Sequence, residues 1–189
     1  MNYKSIALFL MSSFILGTCI AEDIYRADPE HTFVSFSYKH LNYSVQTSRF
    51  DSTNGTIRIN DGHNNGVIDM TIDTKSVSTG STSFNKLLQS DSFFATDKFP
   101  VAIFKSDRII FYHDEISSID GELTIKGITK PISIAVNSFA CSRNFLTLKY
   151  TCGANASAQL NRSDFDLGKY APFVGDEVTL NIVIEASRE

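Results

Sequence analysis

Apolar side chains recur at every second position in short blocks along this chain, and that period confines most of it to strands. Val34, Phe36, Tyr38 and His40 share one face of the first block, with Ser35, Ser37 and Lys39 on the other. Ile57 and Ile59 repeat the pattern after Gly55, and Ile68, Met70, Ile72 and Thr74 alternate with Asp69, Thr71 and Asp73. Ala102, Phe104 and Ser106 follow Pro100. The cleanest block sets Ile119, Gly121, Leu123 and Ile125 against Asp120, Glu122, Thr124 and Lys126. Four more run Ile132-Ile134-Val136, Leu146-Leu148-Tyr150, Ala154-Ala156-Ala158-Leu160 and Val178-Leu180-Ile182-Ile184. Eight or nine such blocks, punctuated by Asn-Gly, Asp-Gly and Pro, predict an antiparallel all-β domain. An open sheet of this size would expose two long edges. Closure into a barrel removes them, and about eight strands enclose room for one small ligand.

Composition fits a lined interior: no Trp, but 15 Phe and 7 Tyr. The one interruption of the strand pattern lies between Ser83 and Phe94, where Phe84, Leu87 and Leu88 fall at helical spacing. A short amphipathic helix there is expected to cap or gate one end of the barrel. Ala154, Ala156 and Ala158 place three methyl groups where other strands place Ile or Phe. Either the interior is partly unfilled there, or rings from facing strands occupy the space.

Residues 1–21 read as a secretory signal peptide, leaving 22–189 as one domain. Lys4 opens the segment, an apolar stretch runs from Ile6 to Ile20, and Cys19 and Ala21 are small residues before Glu22. The stretch is too short and too rich in Ser and Thr for a spanning helix, so no stable membrane insertion is expected. Lipidation at Cys19 is the alternative to its removal. Export places Cys141 and Cys152 in an oxidising compartment, where the pair is expected to form a structural disulfide. The formal net charge of −4 becomes −5 when Lys4 leaves with the leader, which argues against nucleic acid as a partner.

Motifs that carry chemistry are missing: there is no G-x-S-x-G, H-E-x-x-H, paired C-x-x-C or glycine-rich phosphate loop. His31 and His40 fall in one strand block at odd separation, so on a regular strand they face opposite sides and share no metal. His63 and His113 sit in turns. Arg162 and Asp164, two apart, would face the same way if extended, in a structural hydrogen-bonding role. No catalytic residue and no metal site is assigned.

Several ordered motifs resemble the YceI-like family. The most specific is Gly121-Glu122-Leu123-Thr124-Ile125-Lys126-Gly127-Ile128-Thr129-Lys130-Pro131, which is similar to the family's G-x-L-T-x-x-G-x-T-K-P hairpin. Asp28-x-x-His31, Phe36 to His40-Leu41, Ser90 to Phe93, Lys98-Phe99-Pro100, Phe104-Lys105-Ser106, Arg162-Ser163-Asp164-Phe165 and Gly175-Asp176-Glu177-Val178 complete the order. The resemblance covers about Tyr25 to Ala186. It implies an eight-stranded antiparallel lipocalin-like barrel, exported to the periplasm or beyond, that binds polyisoprenoid lipids. The chain departs from the family at Phe84-Asn85-Lys86-Leu87-Leu88-Gln89, where R-D-x-H-L-R is frequent, so its helix is more apolar. Asp166 also stands where Gly usually follows R-S-D-F.

The leading expectation is therefore a periplasmic carrier that holds the tail of an amphipathic isoprenoid lipid, of quinone or polyprenol type, with no catalytic cofactor. Inward candidates for the ligand site are Phe36, Tyr38, Met70, Ile72, Phe104 and Leu123, with Ile125, Ile134, Ala156, Ala158, Leu160, Leu180 and Ile182. Phe84, Leu87, Leu88, Phe93 and Phe94 join them from the helical lid. The competing expectations are a ligand-free stress-protective structural protein and a hydrolase-type enzyme with His31 or His40 as base. Oligomeric state stays open, a homodimer included.

Overall fold

The computed structural model describes residues 22–60, 66–113 and 115–189; the expected signal segment, Cys19 and the His63 turn lie outside them. Eleven strands form: β1 Glu22–Ala27, β2 Phe33–His40, β3 Ser44–Phe50, β4 Thr53–Asn60, β5 Gly66–Asp73, β6 Val77–Ser78, β7 Val101–Tyr112, β8 Glu115–Ile125, β9 Ile128–Arg143, β10 Tyr150–Asn161 and β11 Glu177–Arg188. Among the described residues one α-helix, α1, spans Thr82–Gln89. Among the described residues no helix is long and apolar enough to cross a membrane.

Eight strands close an antiparallel ring in the order β1-β4-β5-β7-β8-β9-β10-β11, with β11 returning to β1. The other three, β2, β3 and β6, extend the wall upward from β11. Tyr25 to Ala27 pair with Arg188 to Ala186 on the second half of β11, whereas Phe33 to Ser37 pair with Val183 to Thr179 on its first half. Thus β1 and β2 lie end to end along one partner. The turn between them is sealed by Thr32, only 2% exposed, whose hydroxyl donates to the Glu185 carbonyl at 3.1 Å and accepts from the Glu185 amide at 3.2 Å. His31 therefore lies in this turn rather than in a strand, where its Nδ1 is 2.9 Å from Asp28.

The β8–β9 hairpin turns at Lys126 and Gly127, with φ of 51° and 75°, the mirror-image turn that suits the right-handed twist of paired strands. Gly121 is required for a different reason: a Cβ there would stand 2.3 Å from the Lys105 carbonyl oxygen of β7. Three strands, β1, β3 and the two-residue β6, were not expected from the pattern. Conversely, Leu146, Leu148 and Tyr150 do not form a strand block. Residues 144–149 are the β9–β10 turn, and Leu146 and Leu148 are 78% and 65% exposed.

The end of the barrel where Ile59 of β4 pairs with Gly66 of β5, Tyr112 of β7 with Glu115 of β8 and Arg143 of β9 with Tyr150 of β10 is called lower here. The upper end carries α1 and the loop from Arg162 to Asp176. Two clusters of buried side chains follow this axis. The lower is built on residues such as Met70, Phe104, Leu123 and Ile134, the upper on Phe36, Phe50, Leu88 and Val178. Phe93, Phe94, Ile125, Leu160 and Leu180 pack against both and form the waist.

A two-part interior as the candidate functional site

The interior is incompletely filled. A lower cavity of about 160 Å³ and an upper one of about 220 Å³ are stacked along the barrel axis, with Leu180 in the wall of both. Of the residues expected inside, Met70, Ile72, Phe104, Leu123, Ile134, Ala156 and Ile182 line the lower cavity. Phe36, Tyr38, Phe84, Leu87, Leu88 and Phe93 line the upper one, as do Phe94, Ile125 and Leu160. Ala158 lines neither; it is 7% exposed and packed in the lower cluster. The alanine face thus does both things at once: Ala154 and Ala156 leave space, while Ala158 is covered.

The lower wall is hydrocarbon. Ile57, Ile119 and Ile132 extend it in the inward phase that the alternation sets, and Ile109 joins them because a bulge between Ser106 and Arg108 shifts the phase of β7. Thr53, 1% exposed, contributes a hydroxyl with no hydrogen-bond partner among the described residues. The upper cavity differs in having polar groups: Tyr38, His40, Arg162, Lys169 and Tyr170 stand in its wall. Burial pushes the Tyr38 phenol above its usual pKa of 10.0, opposed by the nearby Arg162 charge, so the hydroxyl is protonated at neutral pH and can donate.

Arg162 is the central polar residue of this end, and its role was only half visible in the sequence. The segment Arg162–Phe165 is one 3-10 turn, not an extended strand, and Arg162 does not pair with Asp164. Its guanidinium, 8% exposed as a residue, donates Nε to Gly175 O at 2.8 Å, Nη1 to Lys169 O at 2.8 Å and to Leu167 O, and Nη2 to Val174 O at 2.8 Å. Burial lowers its pKa, while Asp176 and Tyr38 oppose that shift; a guanidinium remains charged regardless. One buried charge therefore holds four carbonyls of the upper loop.

Two lysines brace the same loop. Lys126 Nζ reaches the Asp166 carboxylate at 2.7 Å and its carbonyl at 2.8 Å, and Lys169 Nζ reaches Ser92 Oγ at 2.9 Å. Asp166, the departure noted after R-S-D-F, has φ 54° and is an anchor for Lys126.

The helix is shorter than the expected Ser83 to Phe94. Ser90 ends it, its hydroxyl donating to Leu87 O at 2.7 Å. Phe93 and Phe94 reach the barrel from the following turn instead, and Phe94 sits edge-on to Phe36 and Phe50 at 6.2 and 5.3 Å. Phe50 was missed because β3 is exposed at most positions and shows no clean alternation. Leu88 is buried at 6%, but Leu87, expected on the same apolar stripe, is 42% exposed at the cavity rim.

Cys141 and Cys152 are disulfide-bonded, S–S 2.04 Å, as directly opposed residues of β9 and β10. Among the described residues no group of three or more His, Cys, Asp or Glu is placed to hold a metal. His40 bridges to Val174 at the upper rim, and His31 is on the outer surface beside Asp28.

Residues 25–186 match the YceI-like domain. A UPF0312 protein of Pseudomonas paraeruginosa is 31% identical over 191 residues, 98% of each chain. Among solved structures, BcnA of Burkholderia cenocepacia aligns with a TM-score of 0.71 at 23% identity, over 84% of this chain and 98% of that one. A polyisoprenoid binding domain from Saccharophagus degradans, implicated in plant cell wall breakdown, aligns with a TM-score of 0.65 at 17% identity, over 87% and 98%. At these identities the two structures establish a common fold.

Proposed function

The chain belongs to the YceI-like family, and from that premise we propose that it is an exported carrier of an amphipathic isoprenoid lipid of quinone or polyprenol type, and not an enzyme. The observation that carries the reading is the division of the interior: a hydrocarbon-lined lower cavity shares Leu180 of its wall with an upper one edged by Tyr38, Lys169 and Arg162. A molecule with one long apolar end and one small polar end matches that order of surfaces. The tail descends into the lower cavity, and the head accepts hydrogen bonds near Tyr38 and Lys169. The Saccharophagus protein, described as a polyisoprenoid binding domain, has the same fold and supports the ligand class.

Burial drives the binding. Each methylene-sized group removed from water contributes about 0.8 kcal/mol, so one five-carbon prenyl unit contributes roughly 4 kcal/mol. Immobilising a ligand costs on the order of 4–15 kcal/mol, and a tail of about two to four units offsets that. The Cys141–Cys152 bond supports an oxidising compartment and hence the reading of residues 1–21 as an export signal.

Organic extraction of protein purified from its own host, followed by mass spectrometry, tests the proposal. The expected result is a family of lipids differing by whole prenyl units, reduced to background in Ala156→Phe, which fills the lower cavity. Wild-type protein that yields no lipid would leave the ligand-free structural reading in its place.

A further inference from the structure

The β9–β10 hairpin is unlike the rest of the barrel wall. β9 parts from β8 after Ala135 and runs on to Arg143 paired only with β10. The register shifts beside Ala156 at the same level. The tip beyond carries Phe145, Leu146 and Leu148 at 84, 78 and 65% exposure, a density of exposed apolar side chains that calls for a partner. Arg143 and Lys149 flank it, and no acidic residue lies between Val136 and Gly153, although the chain as a whole is acidic.

The tip is also built to leave water. Asn144 Oδ1 accepts from the amides of Leu146 and Thr147 at 2.9 and 3.1 Å, the Leu148 amide donates to Asn144 O at 2.8 Å, and Arg143 Nε donates to Leu148 O at 3.0 Å. Internally bonded turn amides remove most of the penalty for entering an apolar phase. The disulfide, two residue pairs further into the barrel than Arg143 and Tyr150, ties the two strands at the root of this tip.

We propose that the β9–β10 hairpin docks the protein on an anionic lipid bilayer, with Phe145, Leu146 and Leu148 entering the interface and Arg143 and Lys149 meeting lipid phosphates. A symmetric contact between two copies through these tips would oppose like charges, whereas a phosphatidylglycerol surface complements them. Docking would set the parted β8–β9 seam, where Ile116, Val136 and Phe139 line the lower cavity, next to the membrane. It stands independently of the carrier reading, since it is measured without any cargo.

Flotation of the purified protein with mixed phosphatidylcholine–phosphatidylglycerol vesicles, and with pure phosphatidylcholine vesicles, tests it. The expected result is salt-sensitive binding to the mixed vesicles. It should fall about tenfold or more in Phe145→Asp/Leu146→Asp and about fivefold for each of Arg143→Gln and Lys149→Gln, with melting unchanged. A Tyr43→Ser/Phe173→Ser variant, altered at the exposed upper rim, should bind as wild type. Absence of binding, loss confined to the upper-rim variant, or a soluble dimer that Phe145→Asp/Leu146→Asp dissociates would each overturn the proposal.

Discussion

The lower and upper halves of the barrel contain similar space but are held in different ways. Below the waist, eight strands close on one another, with the β8–β9 seam parted beyond Ala135, and most of the cavity wall follows from which phase of each alternation faces inward. Above it, β2, β3 and β6 form an extension of the sheet, and the cavity is roofed by α1 and a loop held by Arg162, Lys126 and Lys169. Changes in the lower half should therefore register as changes in volume. Changes in the upper half should register as lost hydrogen bonds or altered motion of the roof.

The strongest challenge to this contrast is Arg162→Met. It keeps the stem but leaves the carbonyls of Leu167, Lys169, Val174 and Gly175 without their donor. A loss of about 4 kcal/mol is expected, since hydrogen bonds to charged groups contribute roughly 1.5–3 kcal/mol each and are only partly additive. Urea denaturation measures it, and a loss below about 1 kcal/mol would show that the guanidinium does not organise the roof.

The helix sharpens the comparison next, because its two leucines differ in burial. Leu88→Ala should destabilise by about 3 kcal/mol, whereas Leu87→Ala, at the exposed rim, should change stability by less than about 0.5 kcal/mol while speeding ligand release. Equal stability effects would mean that the helix packs as a unit rather than as a hinged cover. In the lower half, Ala158→Phe should overpack a filled position at a cost of about 2 kcal/mol. Ala156→Phe, entering open space, should leave the melting temperature nearly unchanged and abolish uptake. If the two variants melt alike, the division of the alanine face into empty and packed positions is wrong.

The smallest expected effect is electrostatic and lies outside both cavities. The Asp28 carboxylate raises the His31 pKa above its usual 6.5, and His31 in turn holds Asp28 below 3.8. Stabilisation from the raised imidazole is complete below the unfolded value and is lost as pH rises through the folded one. That from the lowered carboxylate is present above its unfolded value and lost as pH falls through its folded one. The pair is therefore strongest between those two reference values, and a slight fall in melting temperature from about pH 6 to about pH 8 should disappear in His31→Gln. An unchanged slope would show that the exposed pair is screened.

Much of the lower half was legible in the sequence because alternation reports the face that a strand buries. The blocks around Met70, Phe104, Leu123 and Ile182 therefore gave the cavity wall directly. The same rule failed where no face is buried: β3 is exposed at most positions and escaped notice, and Leu146 and Leu148 mimic a strand on an exposed turn. The roof was less legible for another reason. Arg162 bonds to main-chain carbonyls, which leave no mark in the identities of residues 167, 169, 174 and 175. Nor could the sequence say that Ala156 borders space and Ala158 does not, since that depends on rings arriving from distant strands.

In the proposed carrier one lipid lies along the axis, tail below the waist and head above it. Photo-crosslinking with two isoprenoid analogues, one carrying a diazirine at the tail terminus and the other beside the polar head, addresses it directly when adducts are mapped by peptide mass spectrometry. Tail adducts on Met70, Phe104 or Ile134 and head adducts on Tyr38 or Lys169 are expected. Both labels reacting at the upper rim, or the two patterns exchanged, would contradict it.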